Sequence, residues 1–129
     1  MIYLDTSVVL AQLLAEDVQP PASLWSETLV GSRLVEYETW TRIHARKLGR
    51  SHGDLVRGLL NRVAFVELIR PVLARALEPF PVVVRTLDAL HLASMDFLRA
   101  QGQEISLASY DEKLVAAARK LGIRSAGLR

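Results

Sequence analysis

Cysteine is absent from this chain of 129 residues. Disulfide bonds, thiolate metal sites and a cysteine nucleophile are therefore excluded, and any metal ion must be held by oxygen or imidazole ligands. A chain without cysteine fits a reducing compartment, so we expect a cytoplasmic protein.

Long hydrophobic runs are also absent. The longest of them, such as residues 82–84, are far too short to cross a bilayer, and the first residues lack a cationic leader followed by an apolar stretch. We therefore expect a soluble protein with no membrane partner. No Gly-x-Gly-x-x-Gly run occurs, which argues against dinucleotide binding.

Neither sign of charge is in large excess. The chain has 16 basic and 14 acidic residues, a formal net charge of +2 and no polybasic tail. Basic side chains concentrate between positions 42 and 52, where Arg42, Arg46 and Arg50 are four residues apart and would form one stripe on a helix. A solvated helix face is the usual interpretation of such a charge run, and a phosphate-facing stripe is the alternative.

Short apolar runs alternate along the chain with stretches that have the period of a helix. The apolar runs predict strands at residues 2–4, within 29–35, at 65–69 and 105–108, and an edge strand at 123–126. The helical stretches lie at residues 8–14, 22–29, 37–48, from Ser51 to Val63, from Pro71 towards Pro79, at 86–100 and at 112–121.

Several boundaries follow from local signals. We expect Gly49 to end the third of these helices, Ser51 to cap the next one, and the apolar residues of 86–100 to make that helix largely buried. Strands that alternate with helices predict an α/β fold. We expect one domain over residues 1–129, a three-layer α/β/α sandwich around a mostly parallel sheet of four to five strands.

Acidic residues follow the predicted strands. Asp5 follows the first strand, Glu38 lies shortly after the second, and Asp111 follows the fourth. Because the carboxyl ends of parallel strands meet at one edge of a sheet, these acids and Asp88, at the start of the buried helix, can converge there. Taken singly, Asp5 and Asp111 are also ordinary helix caps and Asp88 an ordinary first-turn acid, while Glu38 competes with the nearby Glu36.

Converging carboxylates repel each other, and a hard divalent cation such as Mg²⁺ or Mn²⁺ is their natural neutraliser in a chain without thiolates. Such a centre is suited to hydrolysis of phosphodiester bonds. Ser7 and Ser109 are candidates for hydroxyls that support the acids, although turn and cap roles are equally open to them.

These residues carry a family resemblance. The segments "YLDTSVVL", "SRLVEYE", "LDALHLA" and "SYDEKLVAAARKLGI" occur in the order found in PIN-domain proteins and cover nearly the whole chain. Among PIN-domain proteins, the chain resembles the VapC-type toxins of bacterial and archaeal toxin–antitoxin pairs.

The resemblance implies a PIN fold and a Mg²⁺- or Mn²⁺-dependent ribonuclease, usually a homodimer, that cleaves cellular RNA to halt translation and is held inactive by an antitoxin. It implies that Asp5, Glu38, Asp88 and Asp111 form the catalytic cluster, with Asp5, Asp88 and Asp111 as metal ligands, Ser7 and Ser109 as supporting hydroxyls, and Arg42 and Arg46 as candidates for RNA contact. Glu38 is preferred to Glu36 because it keeps the family's spacing from Ser32, and Ser109 stands where the family more often has threonine.

Two alternatives belong to other classes of protein. A catalytically silent PIN-like RNA-binding protein would keep the fold and lose the chemistry. A phosphoacceptor receiver domain shares the length and the alternation, but it would have adjacent acids after the first strand, where this chain has Thr6.

Other polar and aromatic residues have plainer interpretations. His91 lies three positions after Asp88, yet a histidine on a buried helix is usually a hydrogen-bonded core residue, so we do not assign it as a general base. Trp25, Tyr37 and Trp40 are interpreted as core or dimer-interface residues in preference to base-stacking ones.

Overall fold

Five short segments pair as the strands of one sheet in the computed structural model, which describes residues 1–128. The strands are β1 (Ile2–Leu4), β2 (Leu29–Ser32), β3 (Val63–Val66), β4 (Ser106–Ala108) and β5 (Arg124–Ser125). Their order across the sheet is β3-β2-β1-β4-β5, and every pairing is parallel. The predicted parallel sheet is therefore confirmed.

Six α-helices and a short 3-10 helix connect these strands. The helices are α1 (Thr6–Leu13), the 3-10 helix (Ala22–Ser26), α2 (Leu34–Ala45), α3 (Gly49–Leu60), α4 (Arg70–Ala76), α5 (Thr86–Ala100) and α6 (Glu112–Lys120). Pro71 stands in the first turn of α4, where its missing N–H costs no hydrogen bond.

The two faces of the sheet are covered by different helices because successive strand residues point to opposite sides. Tyr3 on one face packs in a core cluster with Leu92 and Met95 of α5. Leu4 on the other face packs with Val8 of α1 and Ile43 of α2. The result is the predicted three-layer sandwich, with a separate apolar core on each side of the sheet.

The chain order of the strands places β1 at the centre. From β1 the chain moves outward through β2 and β3 to one edge, and it then returns to the other side of β1 to form β4 and β5. The ends of β1 and β4 therefore lie where the winding changes direction, which is the usual position of a binding crevice in an open α/β sheet.

Three predicted boundaries are wrong around α3 and β3. Helix α2 ends at Ala45, before Gly49, and the turn to α3 uses Lys47 in the left-handed region with φ 57°. Ser51 lies inside α3, where its hydroxyl donates to a backbone carbonyl, so it is not the predicted cap. Strand β3 is Val63–Val66, earlier than the predicted residues 65–69, because the apolar run continues beyond the paired residues.

Helix α5 is less buried than predicted. Its buried residues run from His91 to Met95, while Leu87 in the first turn is half exposed. The stretch predicted as a helix at 22–29 forms only the 3-10 helix, because β2 already begins at Leu29. The ends of α6 and of β5 each differ from prediction by one or two residues.

An exposed apolar surface extends along α4 and the segment that leads into α5. It consists of Ile69, Leu73, Leu77, Val82, Val83 and Leu87. Leu77 is 88% exposed and Val83 is 103% exposed. Six exposed aliphatic side chains within one stretch of the chain are typical of a surface that meets another molecule.

Candidate active site

Asp5 lies at the carboxyl end of β1, in the middle of the sheet edge. Its backbone N–H donates to the carbonyl oxygen of Ala108, the last residue of β4, at 3.0 Å, so the ends of the two strands are held side by side. Asp5 is also the N-cap of α1 and is only 7% exposed. The structure thus gives Asp5 the cap role and also places its carboxylate at the predicted edge.

Two serines hold the Asp5 carboxylate, as predicted for supporting hydroxyls. The hydroxyls of Ser7 and Ser109 donate to Oδ2 of Asp5 at 2.6 and 2.8 Å. Each hydroxyl oxygen in turn accepts a backbone N–H, from Tyr110 to Ser7 and from Asp111 to Ser109, both at 2.9 Å. The backbone after β4 therefore fixes both hydroxyls and, through them, the orientation of Asp5.

Glu38 on α2 joins the same edge, and Glu36 does not. Oε1 of Glu38 accepts a hydrogen bond from the Thr6 hydroxyl at 2.9 Å and lies 2.8 Å from Nε2 of His91. Glu36 instead pairs with Arg33, with a nitrogen–oxygen distance of 3.5 Å. The choice of Glu38 on the spacing from Ser32 agrees with this placement.

His91 is buried and hydrogen-bonded, as expected from its place on a buried helix. One of its two partners is Glu38, an acid of the groove. It is 2% exposed, with Nδ1 2.8 Å from the Tyr3 hydroxyl and Nε2 on Glu38. Burial alone would lower the pKa of His91, but the hydrogen bond and the charge of Glu38 outweigh it, and the pKa is raised. Burial likewise opposes the ionisation of Glu38, yet His91 and then Thr6 lower its pKa overall. The hydrogen bond between Glu38 and His91 therefore favours the charged form of both side chains.

Asp88 lies in the first turn of α5, and the charges of the other acids affect its pKa. Burial raises the pKa of Asp88, and the negative charge of Asp111 raises it further. Asp5 and Glu38 add to this rise, and His91 opposes it. The other three acids thus lie close enough to Asp88 for their charges to raise its pKa. A cation bound among the four acids would reduce this repulsion.

Asp111 follows β4 and caps α6, so its predicted cap role is also confirmed. Its Oδ1 accepts the backbone N–H groups of Lys113 and Leu114 at 3.0 and 3.2 Å. Asp111 lies beside Asp5, Glu38, Asp88 and the two serines in one broad open groove at the carboxyl edge of the sheet.

Three of the four carboxylates are bound by the protein through a single oxygen. Within residues 1–128, all hydrogen bonds to Asp5 end on Oδ2, those to Glu38 on Oε1 and those to Asp111 on Oδ1. The second oxygen of each group is left for a ligand, and Asp88 has no hydrogen bond in that part of the chain to either oxygen. Each acid can therefore offer an oxygen to a cation without losing a structural contact.

This donor set fits a hard cation such as Mg²⁺, which prefers carboxylate oxygens and keeps several of its waters. In the described part of the chain, no group of three or more acidic or histidine side chains is close enough together, as placed, to hold a metal ion. A Mg²⁺ ion can also bind through one or two carboxylates, with water completing its coordination.

Arginines line the acidic groove, and one of the two that the sequence pattern favoured is among them. Arg42 of α2 lines the groove, whereas Arg46, just past the end of α2 at Ala45, does not. Arg85, before α5, and Arg119, on α6, also line it and were not predicted, because neither belongs to the basic cluster between positions 42 and 52. Tyr37 is 64% exposed and lines the groove, so placing it in the core is wrong.

The groove has a volume of about 1900 Å³. Pockets for small molecules are usually about 300–1000 Å³, so this groove is better matched to a segment of a polymer than to a metabolite. Acids and arginines line this groove together, which suits a polyanion held at its backbone beside a metal centre.

Comparisons with known proteins agree with this geometry. The model of the PIN domain family matches residues 2–120. The chain is 28% identical over 133 residues to Ribonuclease VapC47 of Mycobacterium tuberculosis (strain CDC 1551 / Oshkosh), covering 98% of this chain and 96% of that protein. It is similar in structure to Mycobacterium tuberculosis VapC20, a sarcin-ricin loop cleaving toxin, with a TM-score of 0.67, 22% identity and coverage of 91% of this chain and 95% of that one. The latter likeness supports the fold.

The Glu38–His91 pair predicts a pH window for stability. A histidine whose pKa is raised from 6.5 stabilises the fold fully below pH 6.5 and less as pH rises through its folded-state pKa. A glutamate whose pKa is lowered from 4.5 stabilises it above pH 4.5 and less as pH falls through its folded-state pKa. The free energy of unfolding of the wild type, relative to H91Q, should therefore be largest between pH 4.5 and 6.5.

Urea unfolding across a series of pH values measures this difference. Glu38→Gln serves as the control and should remove the same pH dependence. A wild-type advantage over H91Q that grows steadily towards alkaline pH would contradict the assigned ion pair.

Proposed function

This chain belongs to the PIN domain family, and on that premise we propose that it is an endoribonuclease that hydrolyses RNA phosphodiester bonds. We propose further that it is the toxin of a toxin–antitoxin pair, inhibits translation and is neutralised by a cognate antitoxin. The similarity to Ribonuclease VapC47 along almost the full length of both chains supports this assignment. The observation that favours it most is the set of four acids that share one groove, with a carboxylate oxygen of each free of hydrogen bonds from residues 1–128.

In this proposal Asp5, Asp88 and Asp111 hold a Mg²⁺ ion, for which Mn²⁺ can substitute. When bound, the ion supplies charge neutralisation for the phosphate and acidifies water at neutral pH. The raised pKa of Asp88, caused by burial and by the charge of Asp111, is consistent with acids arranged to receive a cation. The serines keep Asp5 in one orientation whether or not an ion is present.

Glu38 has a different part in the proposal. Although burial opposes its ionisation, His91 and Thr6 lower its pKa, so Glu38 is a carboxylate at neutral pH. Its Oε2, which has no protein donor within residues 1–128, can accept a hydrogen bond from the attacking water and orient it towards phosphorus.

RNA binding is assigned to the arginines that line the groove. Arg42, Arg85 and Arg119 come from three different parts of the chain and line the same groove as the acids, so they can contact phosphates of a bound RNA. Exposed Tyr37 in the same groove offers a ring on which a base can stack.

A catalytically silent RNA-binding protein is the main rival function. It would share the fold, the groove and the arginines. The complete set of acids and the hydrogen bonds that orient two of them favour the enzyme, because a binding protein gains nothing from four repelling carboxylates beside a polyanion.

The proposal also includes a homodimer in the cytoplasm. The exposed apolar surface on α4 and the segment before α5 can be covered by a second copy, which supports the family expectation of a dimer. Among residues 1–128, no helix is both long and apolar enough to cross a membrane.

Metal-dependent cleavage tests the enzyme directly. The purified protein should cut total cellular RNA into discrete fragments with Mg²⁺ or Mn²⁺ and not with EDTA. Asp5→Asn should lower the cleavage rate by about 100-fold or more because it removes a charged metal ligand. Asparagine is as good an N-cap as aspartate, so the thermal stability of the variant should stay near that of the wild type.

Asp54→Asn is the matched control, since Asp54 is exposed on α3 and pairs only with Arg57 within residues 1–128. Its cleavage rate should equal that of the wild type. Binding of RNA without cleavage under any metal condition would favour the silent RNA-binding protein.

A comparison of Arg42 with Arg46, four residues later, distinguishes an arginine that lines the groove from one that does not. Arg42→Gln should weaken RNA binding and lower the slope of log affinity against log salt by about 0.7, the value for one phosphate contact on a single strand. Arg46→Gln should change neither, because Arg46 does not line the groove. Filter binding or fluorescence anisotropy in the Asp5→Asn background measures both quantities. Equal effects of the two substitutions would contradict a groove-specific role for Arg42.

The dimer is tested by charge placed in the apolar surface. Leu77→Glu combined with Val83→Glu should shift the protein from dimer to monomer in light scattering, because two exposed aliphatic contacts become charged. Leu55→Glu on α3 introduces the same charge at another exposed leucine and should leave the mass unchanged. A dimer that persists in the double variant would place the interface elsewhere.

A further inference from the structure

His91 is an unusual choice for its place in the fold. It lies on the buried face of α5 beside Leu92, Ala93 and Met95, all of which are fully buried and apolar. A histidine that only filled space there would cost more desolvation than an apolar residue of similar size. Specific contacts of the two ring nitrogens must therefore offset the desolvation cost.

Both ring nitrogens of His91 have partners in opposite directions. Nδ1 faces the hydroxyl of Tyr3, in the centre of the sheet, at 2.8 Å, and Nε2 faces Glu38 at 2.8 Å. The two rings meet edge to face, with an interplanar angle of 86°. Rotation of the imidazole would break both hydrogen bonds, so the buried tyrosine fixes the direction in which Nε2 donates.

The carboxylate of Glu38 is held from two sides at the same atom. The Thr6 hydroxyl on α1 and Nε2 of His91 on α5 both donate to Oε1. Two donors from different helices fix the plane of the carboxylate, and they leave Oε2 as the oxygen available to the groove. Loss of either donor frees the carboxylate to rotate.

We propose that His91 is a positioning residue for the reaction: held by Tyr3, it fixes the Glu38 carboxylate so that Oε2 is presented to the groove. This role rests on the proposed ribonuclease function. His91 does not itself exchange a proton with substrate, because both of its nitrogens are engaged inside the protein.

A merely structural role is the competing explanation. In that case His91 serves to satisfy the buried hydroxyl of Tyr3, and its contact with Glu38 is incidental. The two explanations differ in what happens to the turnover number when the fold is intact, and in how Glu38 titrates.

Kinetics of RNA cleavage test the proposal. His91→Leu removes both nitrogens and should lower kcat by about 10- to 100-fold, the range seen when a group that orients an active-site ligand is lost, with KM for RNA unchanged. His91→Gln places an amide nitrogen near the position of Nε2 and should restore part of the lost kcat. Thr6→Val, which removes the other donor to Oε1, should also lower kcat while His91 remains.

Met95→Ala is the matched control for stability. Met95 lies one turn after His91 on the same helix and is fully buried in the apolar core cluster that contains Tyr3. The variant should unfold at lower urea concentration and keep the wild-type kcat. If Met95→Ala lowers kcat as much as His91→Leu does, destabilisation explains both and the proposal is overturned.

A second readout uses the metal-free protein and needs no activity. With ¹³C-labelled glutamate carboxyl groups, NMR titration should show a higher pKa for Glu38 in His91→Leu than in the wild type, with His91→Gln in between. An unchanged Glu38 titration overturns the proposal even if the protein is a ribonuclease. A wild type that cleaves no RNA overturns the ribonuclease function, and the NMR result then still decides whether His91 holds Glu38.

Discussion

The parallel pairing of β1 with β4 determines where the functional groups of this protein lie. The two strands come from opposite ends of the chain, yet Leu4 and Ala108 stand opposite each other in the register. Because parallel strands end at the same edge, the residues that follow them, Asp5 and Ser109, become direct partners. Without that pairing, the serine that orients Asp5 would belong to a different part of the molecule.

The main electrostatic constraint on the edge is repulsion among four acids. The fold reduces this repulsion in two ways. Three of the acids accept hydrogen bonds from the protein, and the buried His91 lies against Oε1 of Glu38. In each of these three acids, one carboxylate oxygen accepts all the hydrogen bonds from residues 1–128, and the other is left for a ligand. The site therefore keeps its shape while most of its negative charge remains uncompensated by protein cations, which is the condition under which a divalent ion binds strongly.

Much of the fold could be predicted from the sequence because the signals are local. Three apolar residues before Asp5 and the regular alternation of strands with helices were enough to predict a parallel sheet and the edge at which Asp5 and Asp111 lie. The bounds of β3 could not be predicted, since the run from Val63 to Ile69 is apolar almost throughout and has no period that marks where pairing stops. The exposure of Leu87 depends on how far α5 extends beyond the sheet, which no local pattern records.

The candidate site, like the fold, has features that could be predicted from the sequence and features that could not. The acids and serines could be predicted from their positions after strands, but the hydrogen bonds from Thr6 and His91 to Glu38 depend on the packing of three helices. Charge density along the chain drew attention to Arg42 and Arg46, of which Arg42 lines the groove, together with Arg85 and Arg119 from distant parts of the sequence. Proximity in space, and not local density of charge, decides which arginines line the groove.

Leu87 belongs both to the exposed apolar surface and to the wall of the acidic groove. One residue later comes Asp88, so a molecule that covers this surface also stands at the border of the groove. A molecule bound over Leu87 would therefore also reduce the space through which a long ligand could enter the groove.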